Sequence, residues 1–426
     1  MANSTISLDR IKTLVNYTID NNIKLQEKGK FPIALGFIAD AGIGKTSTVR
    51  QVAEERGMTL TKLNLSQLEE SGDLLGFPQI EYECQVGQLY KNEKGETKVK
   101  VLPETVWLNA KQMDSPQSGC KYRQTGKTRM GYAKPAWVPE YNEKGCLLLL
   151  DDYSRANPTI LQSVMEIILE QGYVSWHLPK KTTIVLTANP DNGMYNVNSG
   201  DEAQNGRYVG FDVEWDRDAW AEWAEGADVD GRCINFVMSY SEELFNKDAD
   251  GNRICNPRSF VMFADMISGI DNWDDPKNME FIHTIAKGCF KDEGGRFAAM
   301  FSSFIRNKMH LLIQPKELLS GKWNDVKEKL QKTLYDSDGQ YRPDISALLE
   351  RRFANYVNAW LESDEKTPIK TVVDRINDFI SLGLTPTTGC AFTKDQIQHM
   401  VKTITSKHRG QTNKLLYEPA IAAALT

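Results

Sequence analysis

Apolar residues recur along this chain in two rhythms, and the change from one to the other divides it. Ile6, Ile11, Leu14, Val15, Ile19 and Ile23 fall at helical spacing, which predicts an N-terminal helix over residues 6–25, ended by Gly29-Lys30. Short apolar runs follow at Phe31 to Ile38, Thr59 to Leu65, Gly145 to Leu150 and Thr182 to Thr187, with helical patterns between several of them. Runs of that length alternating with helices predict a parallel sheet covered on both faces. Beyond Trp215 the period is mainly helical. Asp218 to Glu225, Val229 to Tyr240, Arg258 to Ser268, Met279 to Phe290, Arg296 to Leu312, Ile345 to Leu361 and Ile369 to Leu382 all carry apolar residues at helical offsets. The expected organisation is an α/β domain over 1–215, a helical domain over 216–312 and a helical C-terminal region over 313–426.

Residues 80–137 fit neither rhythm. They are rich in Gly, Lys, Gln and Tyr, and carry ten basic against six acidic residues in a chain of net charge −6. We read them as an insertion in the α/β domain. The whole chain, at 426 residues, has room for two or three domains that each bury a core. No run approaches 18 apolar residues and the N-terminus shows no basic segment followed by an apolar one, so neither a membrane span nor a secretory leader is expected, and the expected location is cytoplasmic. The seven cysteines are odd in number, scattered and never spaced C-x-x-C, which argues for free thiols rather than disulfides or a zinc site. The five histidines are too far apart to argue a nucleophile, base and acid set.

Chemistry is concentrated where the apolar runs end. Ala39-Asp-Ala-Gly-Ile-Gly-Lys-Thr46 lies between a predicted strand and a helix-compatible stretch from Ser47 to Arg56. That order is what a phosphate-binding loop requires, because successive backbone N–H groups and the helix N-terminus then face the phosphates. Ala41, Gly42, Ile43, Gly44, Lys45, Thr46 and Ser47 form the expected nucleotide site. Within it Gly42 and Gly44 permit close approach, Lys45 meets the β/γ-phosphates and the Thr46 hydroxyl ligates Mg²⁺. The first glycine of the usual pattern is Ala39 here. The ligand expected is ATP with Mg²⁺.

Gly145-Cys-Leu-Leu-Leu-Leu-Asp-Asp152 is a buried-strand pattern ending in two acids. Asp151 is assigned to the metal and Asp152 to the base that polarises the attacking water, against the plainer alternative of a strand ending in solvated carboxylates. Thr182 to Pro190 is another such strand, and its Asn189 is placed to orient that water, the alternative being an ordinary turn asparagine before proline.

The segments IADAGIGKTS, DLLGFP (73–78), LLLLDDYSRANP (147–158), LPKKTTIVLTANP (178–190), NGRY (205–208) and NPRSF (256–260) resemble, in content and order, the MoxR-like, dynein-related branch of the AAA+ ATPases, over roughly residues 31–265. The resemblance implies an AAA+ P-loop NTPase fold: a parallel sheet sandwiched by helices, an α-helical lid over 216–312 and a helical C-terminal tail. It implies that Asn189 is sensor 1, that Arg207 is a finger inserted into the neighbouring subunit's site, and that Arg258 is the sensor 2 of the lid. Asp152 stands where most such ATPases have Glu. A finger acting in trans requires a head-to-tail ring, by resemblance a hexamer. Arg217 and Arg232 are the alternative cations for that role, and Arg155 is expected at a subunit interface.

The insertion falls where this branch often carries a loop projecting into the ring pore. Tyr82, Tyr90, Trp107, Tyr122, Tyr132 and Trp137, interleaved with Lys121, Arg123, Lys127 and Arg129, would then grip a polymer, or else pack their rings down as a solvated hairpin. Three functions follow: a ring ATPase that remodels a protein partner, such as a von Willebrand A-type or metal-binding protein; a nucleic-acid motor or loader; and a scaffold that binds ATP and hydrolyses it weakly.

Overall fold

The computed structural model describes residues 4–91, 96–114, 120–190, 206–246, 253–290, 292, 295–363 and 369–426. It comprises two compact units that meet between Glu214 and Trp215 in the chain.

The first unit is built on a six-stranded, all-parallel sheet. Its strands are β1 (Ser4–Ser7), β2 (Ala34–Ile38), β3 (Thr59–Asn64), β7 (Cys146–Asp151), β10 (Thr182–Ala188) and β11 (Tyr208–Glu214), in the order β1-β11-β2-β10-β7-β3. The two most completely buried strands are interior. β10 is buried along its whole length and β7 up to Leu150, as expected of strands covered on both faces. Helices α1 (Leu8–Glu27), α2 (Lys45–Arg56), α3 (Ser71–Leu75) and α5 (Pro158–Glu170) belong to this unit, as do the paired short strands β8 (Gly172–Tyr173) and β9 (Trp176–His177). Asn22 of α1 donates to Ile33 O at 2.9 Å and to Thr183 Oγ1 at 3.2 Å, and accepts from Ile33 N at 2.8 Å.

Three strands depart from the expectation. Ile6, read as the start of the helix, belongs to β1 and pairs with Val213 of β11; α1 begins at Leu8. β11 itself was not anticipated, because Gly210 and Asp212 interrupt its apolar run. The strand predicted from Phe31 begins only at Ala34, and Phe31 is exposed.

The register decides where function can sit. Ala188 pairs with Ile38, Leu150 with Leu186 and Asn64 with Asp151. The carboxyl ends of β2, β10, β7 and β3 therefore share one edge, and the segments that follow them open into the same space.

A separate antiparallel sheet is formed by β4 (Pro78–Lys91), β5 (Thr97–Leu108) and β6 (Cys120–Tyr132), ordered β5-β4-β6. Much of it faces solvent on both sides, which is why no hydrophobic alternation marks these strands in the sequence. Glu81 and Cys84 of β4 are buried, and Cys84 Sγ lies 3.4 Å from Met113 Sδ in the short helix α4 (Ala110–Asp114).

The second unit is helical. One continuous core runs from Trp220 to Ala424 and includes a ring cluster in which Phe236 contacts Phe260, Phe297, Phe301 and Phe304 at 5.2–6.1 Å between centroids. Arg352, 1% exposed at its side chain, is paired with Glu225 at 2.8 Å and hydrogen-bonded to Asn235 and Gln314, so its buried charge is compensated. Among the described residues no helix is long and apolar enough to cross a membrane.

Candidate nucleotide site

The loop after β2 is shaped by two glycines. Gly42 has φ +86° and Gly44 φ +103°, conformations that L side chains rarely adopt, and Gly44 caps the start of α2. Ala39, where the usual pattern has glycine, is not among the residues with positive φ. It is 3% exposed and donates its N–H to Ala188 O at 3.1 Å, extending the sheet by one bond. Its methyl group is therefore packed rather than strained.

Lys45 opens α2 and folds back across the loop. It is 8% exposed, and Nζ donates to Ala39 O at 2.5 Å and Asp40 O at 3.2 Å. The ammonium is thus held over the backbone cradle. The next residue reaches the neighbouring strand: Thr46 Oγ1 donates to Asp151 Oδ1 at 3.0 Å. A hydroxyl and a carboxylate oxygen side by side are hard donors suited to Mg²⁺, which protein sites usually bind through one or two carboxylates together with phosphates.

Three donors converge on Asp151. Besides Thr46, the buried Thr187 hydroxyl of β10 donates to Oδ1, and Lys62 of β3 places Nζ 2.7 Å from Oδ2. Burial by itself would push the Asp151 carboxyl up, but the Lys62 ammonium and the two hydroxyls outweigh it and hold the group below its ordinary value. Asp151 is therefore an anion at neutral pH.

Asp152 turns the chain out of the sheet with φ +53°, a conformation Asp tolerates better than most residues. Asn189, 6% exposed at the end of β10, donates Nδ2 to Asp152 Oδ1 at 3.3 Å. Its backbone is fixed by Ser154, whose Oγ accepts from Asn189 N at 3.2 Å and donates to Asn189 O at 3.4 Å. The loop 41–47, Asp151, Asp152 and Asn189 are accordingly gathered at one sheet edge.

The three arginines are placed differently. Arg207 is half-buried immediately before β11, and Arg155 is exposed in the turn after Asp152. Arg258 is exposed on the helix Pro257–Ile267 of the second unit. Asn205 of the NGRY segment lies outside the described residues.

Several members of this constellation carry no sequence signal. Lys62 is one lysine in a strand, and Thr187 one threonine in an apolar run. Tyr153 follows Asp152 and Tyr208 follows Arg207, yet their hydroxyls meet at 2.6 Å in the interior, with the rings edge to face at 5.8 Å. That pair ties the turn bearing Asp152 to the strand that begins after Arg207.

The rings of the insertion divide. Trp107 lies under Arg129 at 4.6 Å, while Tyr132 packs on Tyr173 and Trp137 on Trp176. Tyr90 remains 48% exposed.

With β2 carrying the loop between β11 and β10, and β7 carrying the carboxylates next to β10, the first unit has the AAA+ P-loop NTPase fold. No family model matches the chain, and no curated protein matches it in sequence. Among solved structures, a candidate ATPase from Cytophaga hutchinsonii aligns over 85% of this chain and 78% of its own length, at 12% identity and a TM-score of 0.27. The RuvB Holliday junction branch migration motor of Thermotoga maritima aligns over 66% and 69%, at 12% identity and a TM-score of 0.31. Likenesses this distant carry no functional argument, and the fold class stands on the strand order and the loop.

Proposed function

We propose that the chain is a ring-forming AAA+ ATPase, MoxR-like in its motifs, that binds ATP with Mg²⁺ at residues 41–47 and uses hydrolysis to remodel a protein partner. The observation that carries the reading is the meeting of Thr46 with Asp151 and of Asn189 with Asp152 at the edge where the P-loop opens. In this reading the loop N–H groups and Lys45 bind the β/γ-phosphates, and Thr46 and Asp151 hold Mg²⁺. The metal, when bound, offsets the charge that develops on the phosphates. Asp152 accepts the proton of the attacking water and Asn189 orients that water. Arg207 acts on the neighbouring subunit's nucleotide, which makes the assembly a ring and, by resemblance, a hexamer. Arg258 acts as sensor 2 in a lid over 216–312, and the partner, by resemblance, is a protein of the von Willebrand A-type or metal-binding kind.

Asp152→Asn tests this. The amide keeps the shape but cannot take a proton, so ATP binding should persist, turnover should stop, and light scattering should show an ATP-dependent ring. A variant that hydrolyses ATP at the native rate, or a native protein that stays monomeric with ATP, overturns the reading.

One observation favours a nucleic-acid motor instead. Exposed Tyr90 lies directly across from Lys98, and Gln88 directly across from Lys100, so a ring and two ammonium groups share one open face of the β4–β5 pair. Stimulation of turnover by single-stranded DNA or RNA would favour that reading. The weakly hydrolysing scaffold now rests on the short Asp152 side chain, since Ala39 fits its loop without positive φ.

A further inference from the structure

We infer that Lys62 is a positioning residue of the nucleotide site: a built-in ammonium that holds Asp151 and competes with a bare divalent cation for it, so that the site accepts the metal together with nucleotide and disfavours the metal alone. The inference rests on the reading of Thr46 and Asp151 as the metal end of that site.

The geometry is specific. β3 is the edge strand beyond β7, and Asn64 pairs with Asp151, which puts Lys62 opposite Leu149. From there its side chain runs toward the carboxyl edge of the sheet and ends 2.7 Å from Asp151 Oδ2. The Lys62 side chain is 36% exposed while that of Asp151 is 13% exposed, so a solvated cation closes over a carboxylate that is largely withdrawn from water. Oδ1 is occupied by the Thr46 and Thr187 hydroxyls. Asp151 thus has both oxygens occupied and its charge neutralised by the protein itself.

The consequence for metal and for nucleotide has opposite sign. A bare divalent cation approaching Asp151 meets an ammonium already on the same carboxylate, and two cations sharing one anion repel. A metal–ATP complex is net negative, so the same ammonium attracts it. Lys62 therefore separates two ligands by charge, which a neutral side chain in its place would not do. An ordinary surface ion pair predicts neither effect, since exposed pairs contribute little and answer only to one partner.

The test uses the full-length protein and Mn²⁺ as the metal probe, followed by paramagnetic resonance without nucleotide. Lys62→Met keeps the aliphatic stem and removes the charge. Mn²⁺ affinity in Lys62→Met should rise about tenfold or more, the scale expected from removing a cation beside the site. Affinity for a fluorescent ATP analogue with Mg²⁺ should fall several-fold. Lys62→Arg should behave as the native protein in both titrations. Unchanged or weaker Mn²⁺ binding in Lys62→Met overturns the inference. So does a gain that survives the further change Asp151→Asn, because the metal would then bind elsewhere. Failure of the underlying site reading looks different: the analogue would then bind equally well to native protein and Lys45→Ala, whatever Mn²⁺ does.

Discussion

Replacing Lys45 by alanine should cost the chain its nucleotide while leaving it folded. Lys45 is 8% exposed and spends its ammonium on Ala39 O and Asp40 O across the loop. A hydrogen bond to a charged group contributes about 1.5–3 kcal/mol net. On binding, the ammonium exchanges contact with these carbonyls for contact with a phosphate, so only part of the gross attraction survives, and about 2 kcal/mol is the working figure. That corresponds to an affinity loss of about 30-fold. The assay is titration of a fluorescent ATP analogue at fixed Mg²⁺ and fixed salt, since exposed charges are screened. A thermal scan of the same samples separates lost binding from lost fold. Affinity within about threefold of native in a folded variant, well short of that 2 kcal/mol, would refute the argument that the 39–46 loop holds the phosphates.

Two further outcomes are expected. Arg207→Ala should bind ATP and hydrolyse it poorly, and excess Lys45→Ala subunits should partly restore its turnover, because an intact Arg207 donated by one subunit completes an intact P-loop in the next. Absence of rescue in rings shown to contain both variants would return Arg207 to an ordinary surface cation. Tyr153→Phe should destabilise by about 1–3 kcal/mol, since the Tyr208 hydroxyl is left buried without its partner, whereas Tyr153→Phe with Tyr208→Phe should cost less than the sum of the two single changes. Urea unfolding followed by fluorescence reads this cycle, and strict additivity would show that the two hydroxyls are not coupled.

The class of fold was legible in the sequence because its signals are local. A run such as Cys146 to Leu150 is short and apolar at every position, as a strand buried on both faces is, and Gly42 and Gly44 mark backbone that L side chains rarely adopt. Much of the helical half announced itself in the same way, by a period of 3.6 in segments such as Arg258 to Ser268 and Ile345 to Leu361, whereas the helices Trp323–Leu334 and Lys394–Lys407 were not read individually. Other features were legible only once distant segments had paired. Ile6 reads as the first turn of a helix until β11 supplies the partner that makes it a strand. The strands Pro78–Lys91, Thr97–Leu108 and Cys120–Tyr132 are long yet carry little periodic pattern, because a sheet largely open to water on both sides has no reason to alternate. The ammonium on Asp151, the Tyr153–Tyr208 contact and the fit of Ala39 all depend on register between strands far apart in the chain. The sequence determines which segments are strands with apolar faces and polar ends; tertiary structure decides which polar ends meet, because a hydrophobic period records burial and is silent about the partner across the sheet.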